Sequence, residues 1–470
     1  MNNAMLQYFT NAAKGWRKYR SRRAYYWDSI TNYCNYFIHP DDSVLEVGCG
    51  TGELIGKVNG KNKVGIDFCE ALISQAVEAQ PNVEFHVMDA ENITLSSTFD
   101  VVIISNLIGF IDDVELVFNQ IRKVCTPRTR VIVTSYSRLW EPLICFAEAI
   151  GIKRRTPAQN WISRRDLINL LYLSGFETYR ANSSMLVPFN IPIVAPLCNR
   201  ILSHLPIFSW FNINNYIFAR PMPTEADWEK KYSVTVLVPA RNESGNIRAA
   251  VERIPDMGNH TEIIFVEGNS TDDTWQTICQ VQQEYAGKRD IKICQQDGKG
   301  KGDAVRKGYS IATGDVLMIL DADLTMPPED LPKFYHAIAT GKGEFINGVR
   351  LVYPMEDGAM RTLNTIGNHF FSKLFSWILE STIKDTLCGT KVMFRTDWFK
   401  LSEGRKFFGD FDPFGDFDML FGAYKLNLKM VDLPIRYKER KYGSTNISRF
   451  KHGLLLLKMS AFAATKIRFR

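Results

Sequence analysis

Ser43-Val-Leu-Glu-Val-Gly-Cys-Gly-Thr-Gly52 and Asp315-Val-Leu-Met-Ile-Leu-Asp-Ala-Asp323 carry the reading of the fold. Each holds an apolar run of strand length, the pattern of a strand covered on both faces of a sheet. Each then stops at residues that suit a ligand. In the first they are glycines, which let a backbone approach a bound group closely. In the second they are carboxylates two residues apart, which an extended chain turns to the same side. Open parallel α/β sheets bind ligands beyond the carboxyl ends of their strands, so the chain reads as two α/β domains, each with its own site.

The flanking residues extend this reading. After the glycine turn the sequence favours a helix, whose N-terminal amides would face the ligand. A second strand, Val64-Gly-Ile-Asp67, ends about 20 residues past the turn in an acid placed to take both hydroxyls of a ribose. Strands over 83–87 and 99–104 follow, with Asp89 and Ser105-Asn106 at their ends. In the second half, Ser233-Val-Thr-Val-Leu-Val-Pro239 runs into Ala240-Arg-Asn-Glu243, and Glu262-Ile-Ile-Phe-Val266 runs into Glu267-Gly-Asn-Ser-Thr-Asp-Asp273. Gly298-Lys-Gly-Lys-Gly-Asp-Ala304 opens a helix with flexible backbone and two lysines, Lys299 and Lys301, suited to a diphosphate. Asp321 and Asp323 are hard oxygen ligands of the kind that hold Mg2+ or Mn2+ against phosphates.

The first set of motifs resembles the class I S-adenosylmethionine-dependent methyltransferases, over roughly residues 30–220. The resemblance implies a Rossmann-like, seven-stranded α/β sheet with S-adenosylmethionine as cofactor. Glu46 would lie near the donor's amino-acid end, Gly48, Gly50 and Gly52 beneath it, Asp67 on the ribose and Asp89 at the adenine amine. Acids in this number suit a cationic sulfonium better than a nucleotide diphosphate, whose charge they would repel. The methyl acceptor is left open. Tyr136, after the strand over 131–135, reads as a packing residue.

The second set resembles the inverting family 2 glycosyltransferases of GT-A fold, and among them the polyprenyl-phosphate glycosyltransferases akin to dolichol-phosphate mannosyltransferase, over about 232–460. That resemblance places Pro239, Arg241, Glu243, Glu267, Lys299, Lys301 and Asp303 around a UDP- or GDP-linked sugar, and Asp321 and Asp323 at the metal. The chain departs from the family at Val266-Glu-Gly-Asn-Ser-Thr-Asp-Asp-Thr274, where glycine follows the first acid, and the base of the donor stays open. Arg440-Lys-Tyr-Gly-Ser-Thr-Asn446 keeps an arginine suited to phosphate and lacks the family's lysine.

The acceptor divides on protonation. A sugar hydroxyl loses a proton as it attacks and wants a base such as Asp385, Asp416 or Asp418. A polyprenyl monophosphate is already ionised near neutral pH and wants cations, and Arg361, Lys373, Lys391, Arg440 and Lys441 lie in this part of the sequence. The reading favours polyprenyl phosphate. The alternative is a glycan hydroxyl, with the first half serving as a regulatory or scaffolding module that binds S-adenosylmethionine. Apolar residues between Ile366 and Ile378 would pack in the core or touch a polyprenyl tail.

At 470 residues the chain is long enough for two cores of roughly 220 to 240 residues. The boundaries read as 1–220, a polar, turn-rich linker over 221–231, and 232–470. A composition 45% hydrophobic and 23% charged excludes disorder, and nine scattered cysteines give neither a disulfide framework nor zinc spacing. No window reaches the ~18 apolar residues of a membrane span. A cytoplasmic protein is expected, with peripheral contact at the cytosolic membrane face through the apolar stretch Leu454–Ile467; the proline-broken run over 186–219 reads as the last strand region of the first domain with its prolines in loops, a membrane-contacting patch being the alternative. The basic, aromatic stretch Trp16–Trp27 reads as a helix closing over the methyl-donor pocket, and no nucleic-acid partner is expected.

Overall fold

A computed structural model describes residues 3–151, 159–223, 228–353, 362–404, 415–440, 442 and 449–469. The chain divides into two compact units, Met1–Met222 and Pro223–Arg468. In the first, β1 (Ser43–Val47), β2 (Asn62–Asp67), β3 (Glu84–Val87), β4 (Phe99–Ser105), β5 (Cys125–Tyr136), β6 (Phe176–Ser184) and β7 (Asn214–Pro221) form one sheet in the order β3-β2-β1-β4-β5-β7-β6. All pairings are parallel except those of β7 with its two neighbours. Val44, Leu45, Val47 and the run Val101–Ile104 are fully buried, which is why these strands lack polar alternation. The strand order reverses between β1 and β4, and the glycine turn stands at that switch point.

The second unit repeats the plan. Here β8 (Val234–Ala240), β9 (Thr261–Glu267), β10 (Asp290–Gln295), β11 (Val316–Ile319), β12 (Phe345–Val349), β13 (Lys391–Phe394) and β14 (Met430–Pro434) order as β10-β9-β8-β11-β13-β12-β14. Only β13 runs antiparallel to its neighbours. The reversal now falls between β8 and β11, so the Arg-Asn-Glu and Asp-Ala-Asp segments emerge side by side. Each sheet packs its own apolar core, Val234 to Ile435 in the second unit and Leu45 to Ala219 in the first.

Pro221 still pairs with Phe176 in the sheet, and Trp228 packs on the core of the second unit, so both ends of the expected linker are structured. The C-terminal helix is Arg449–Ala463, with Leu454 and Leu457 exposed and Leu456 and Met459 buried. Among the described residues no helix is long and apolar enough to cross a membrane.

Candidate active sites

The first site lies at the ends of β1, β2 and β3. Gly48, Gly50 and Gly52 take φ of +75, +56 and +74, a region that disfavours side chains. A Cβ on Gly48 would stand 2.7 Å from Leu107 and one on Gly52 2.7 Å from Phe85, so these two also serve packing. Gly48, Asp67 and Asp89 line one narrow pocket of about 40 Å³ with Phe68, Met88, Leu107 and Phe110. Glu46, Gly50 and Gly52 do not line it. The helix Asn3–Ser21 closes this pocket through Met5, which lines it, and Phe9, whose ring meets Phe68 at 5.7 Å and Phe110 at 5.4 Å. Arg20 on this helix donates to Glu53 at 3.1 Å and lies 3.5 Å over the Trp27 ring.

Asp67 accepts from the amides of Gly50 and Cys69, each at 2.9 Å, which fixes the turn to β2. Burial raises its carboxyl, and the two amides pull the other way. Glu46 is buried and accepts from the Ile55 amide at 3.0 Å, tying β1 to the helix Glu53–Lys57. Its carboxyl is pushed up to about 8 by burial, against the pull of Arg20. Tyr136 stacks on Tyr26 at 5.8 Å, a packing role.

The second site is built on the ends of β8, β9 and β11. Asp321 Oδ1 meets Lys301 Nζ at 2.6 Å, and Asp323 Oδ2 meets Arg440 Nη2 at 2.5 Å. Arg440 also donates to Glu243 Oε1 at 2.8 Å, so one guanidinium joins the acids of two strand ends. Thr325 gives Asp323 Oδ1 its hydroxyl at 2.8 Å and its amide at 3.2 Å, and Leu324 at φ +51 turns the chain sharply between them. Burial alone would raise Asp321; Lys301 outweighs it and holds the carboxyl charged. Lys301 in turn is held charged by Asp321 and by the more distant Asp416.

The other donor-side residues divide by task. Glu267 accepts from Ser270 N at 2.5 Å and Gln295 Nε2 at 3.1 Å, and Asp303 accepts from Gly298 N at 2.7 Å, so both shape loops. Pro239 pairs with Val266 one residue before the end of β8, and Arg241 and Lys299 are exposed. Among the described residues no group of three or more His, Cys, Asp or Glu is placed to hold a metal. The Asp321–Asp323 pair offers carboxylate oxygens alone, a donor set that fits a hard divalent ion whose remaining ligands come from phosphate and water.

Asp385 is fully buried and bound by both arms of Arg350, at 2.7 and 2.8 Å, and by the Arg350 amide at 3.1 Å. Burial would raise its carboxyl, and Arg350 outweighs that and lowers it, so it is a poor proton acceptor near neutrality. Asp418 lines a separate recess of about 30 Å³ with Lys400 and Lys425. Lys391 is fully buried, donates to the Cys388 carbonyl and lies 3.8 Å from Asp416, itself buried. Lys373 is exposed; Arg361 and Lys441 lie outside the described residues. Of the apolar helix Thr362–Ile378, Phe375 stacks on Phe421 at 5.3 Å and Ile378 is buried, whereas Phe370 is exposed; the Ile366 side chain is outside the described set.

Two residues escaped the sequence reading. Arg350 directly follows β12, so the rule that polar groups at strand ends face a site would have flagged it. Gly389 has no such signal: a Cβ there would overlap Asp321 Oδ2 and Lys301 Nζ, which sets Gly389 directly against the Asp321–Lys301 pair.

Residues 235–402 match the model of glycosyl transferase family 2, and residues 38–160 match that of a methyltransferase domain. The chain carries a methyltransferase domain and a family 2 glycosyltransferase domain. Both are enzyme domains. The low-salt glycan biosynthesis hexosyltransferase of Haloferax volcanii is 27% identical over 236 residues, 48% of this chain and 53% of that protein. The dolichol-phosphate mannosyltransferase of Pyrococcus furiosus is 37% identical over 111 residues, 23% of this chain and 30% of that protein. The dolichyl-phosphate hexose transferase of Haloferax volcanii is 27% identical over 226 residues, 48% of this chain and 90% of that protein. The chain thus spans about half the length of the first of these relatives and under a third of the second.

Proposed function

We propose that the glycosyltransferase domain moves a sugar, with inversion, from a nucleotide sugar to polyprenyl phosphate, and that the methyltransferase domain uses S-adenosylmethionine. One observation carries the choice of acceptor. The carboxylates that would deprotonate a sugar hydroxyl are engaged or displaced: Asp385 by Arg350, Asp416 beside Lys391, Asp418 in its own recess. Cations stand at the carboxylate pair instead, Lys301 and Arg440. Such a site suits a nucleophile that brings its own charge, as a phosphate monoester does. Relatives named for dolichyl phosphate and hexose agree with this reading.

Asp321 and Asp323 would hold Mg2+ or Mn2+. A divalent ion bound there would neutralise the diphosphate oxygens. Lys301, at the start of the helix Lys301–Ile311, adds a fixed positive charge toward the departing diphosphate. Arg440 would exchange part of its contact with Asp323 for the acceptor phosphate, to which its planar fork is matched. Glu243, Glu267, Asp303 and Arg241 would shape the nucleotide pocket, the first three through the loops they fix. In the methyltransferase domain, Asp67 and Asp89 would meet the donor's nucleoside, and Met5 and Phe9 would exclude water from it.

The test is a comparison of acceptors. Purified protein with Mn2+ and labelled nucleotide sugars is offered polyprenyl phosphate, the matching polyprenol, and a soluble glycan. Product on the phosphate alone is expected. Product on either hydroxyl acceptor and none on the phosphate would overturn the reading.

A further inference from the structure

The methyltransferase domain carries an apolar surface that its own fold leaves uncovered. The helix Glu141–Ala149 buries none of its side chains, although Leu143, Phe146 and neighbouring Ile150 are large and apolar. The helix Val194–Arg200 buries only Ala195, and the turn Phe208–Phe211 buries nothing. Ile193, Trp210 and Ile207 are the extreme cases, 83%, 77% and 73% exposed. Single exposed apolar residues are ordinary, but so many along two adjoining segments are not. The segments join: Trp140 donates to the Phe211 carbonyl at 3.0 Å, and Leu139, Leu143, Phe146 and Phe211 line one open groove of about 420 Å³.

The polar groups of the second segment turn inward. Asn199 accepts from the amides of Leu186 and Val187 at 2.8 and 3.0 Å and donates to the Val187 carbonyl at 2.8 Å. Ser203 donates to the Asn199 carbonyl at 2.5 Å, and Asn212 to the Ser203 carbonyl at 2.9 Å. Several backbone groups are thus satisfied within the protein while apolar side chains point out, the arrangement a surface needs where water is absent. Ile193 adds strain to exposure. It is β-branched yet sits at φ +65, a left-handed conformation such residues rarely hold, and the surrounding fold keeps it there.

Charge chooses the occupant. From Thr178 through Thr224 the sequence contains no Asp or Glu, and Arg200 is exposed within the patch. The adjoining helix carries Glu148 and Glu141, the latter 3.6 Å from Arg138, so the acid-free part of the face is the segment over 193–211, whose apolar and aromatic side chains with a cation suit the headgroup region of an anionic bilayer. The elements are too short to span one. We infer that this face of the methyltransferase domain docks in the plane of an anionic lipid bilayer, with Ile193, Ile207 and Trp210 entering the acyl boundary. The choice of a bilayer rests in part on the lipid acceptor proposed above, because polyprenyl phosphate resides in one.

The full chain is floated with phosphatidylcholine vesicles, with and without phosphatidylglycerol and always without polyprenyl phosphate. Binding that strengthens with phosphatidylglycerol is expected. Ile193→Asp, Ile207→Asp and Trp210→Asp should each weaken it about tenfold or more, since a large apolar side chain no longer leaves water. Val77→Asp, at an exposed apolar residue on the helix Glu70–Ala79, should not. Wild-type chain that stays with neither vesicle, or three variants that float like the wild type, would overturn the inference. So would a dimer in light scattering that Trp210→Asp dissolves, because a second copy would then be the occupant. Sugar transfer to detergent-solubilised polyprenyl phosphate is measured on the same variants and is expected unchanged. Its absence in the wild type would count against the proposed acceptor, and not against the surface.

Discussion

Asp385 and Arg350 form a buried pair in which each partner depends on the other. Removing one side of such a pair strands the other charge, at a cost of about 3–5 kcal/mol. Asp385→Asn should therefore lower stability by that order in chemical denaturation, and Asp385→Asn with Arg350→Met should recover part of it. A general base would instead lose turnover at unchanged stability. Glu46 makes a second test by titration. Its ordinary value of 4.5 is raised to about 8 by burial. The unfolded chain releases this proton first, so the contribution of Glu46 to folded stability is level below about pH 4.5, falls as pH rises from there toward 8, and has lost on the order of a few kcal/mol above pH 8. Glu46→Gln should flatten the dependence of melting temperature on pH in this range, with the wild type falling more steeply.

At the scale of elements, the loop from Cys388 to Thr390 and the helix Lys301–Ile311 close on one carboxylate. Gly389→Ala would force Asp321 and Lys301 apart, and kcat for sugar transfer should fall about a hundredfold, as misplacement of reacting groups by an ångström does. Steady-state kinetics would show it, beside an unchanged affinity for S-adenosylmethionine. Much of this architecture was legible because its strands are buried on both faces and end in polar residues. Gly48, Asp67, Asp321 and Asp323 stand at or just past the buried ends of β1, β2 and β11, whereas Asp89 follows β3, a half-exposed edge strand, and Gly48, Asp67 and Asp89 line one pocket. The acceptor side was not legible in the same way. Asp385 finds Arg350 across 35 residues, Lys391 is buried in an antiparallel strand whose direction has no local signal, and Gly389 matters only through what lies against it.

For the whole molecule, each unit has its own sheet and its own core, which predicts sites that work independently. Asp323→Ala should leave calorimetric binding of S-adenosylmethionine unchanged, and Asp67→Ala should leave sugar transfer unchanged. Two domains were readable because two strand-and-turn signatures recur along one chain, whereas Pro221 and Trp228, turn-like or polar by neighbourhood, gave no local signal that one pairs in the first sheet and the other packs on the second core. The methyl acceptor left no mark of this kind, since no catalytic base follows from the motifs around Asp67 and Asp89. The most direct test of the central claim is the lipid-linked product itself. Wild type and Asp323→Ala are incubated with Mn2+, a panel of nucleotide sugars and polyprenyl phosphate, and the lipid fraction is read by mass spectrometry. One donor should yield a sugar-phosphate-polyprenol with the wild type and at least about a hundredfold less with the variant. No such product from any donor, or equal product from Asp323→Ala, would contradict the account.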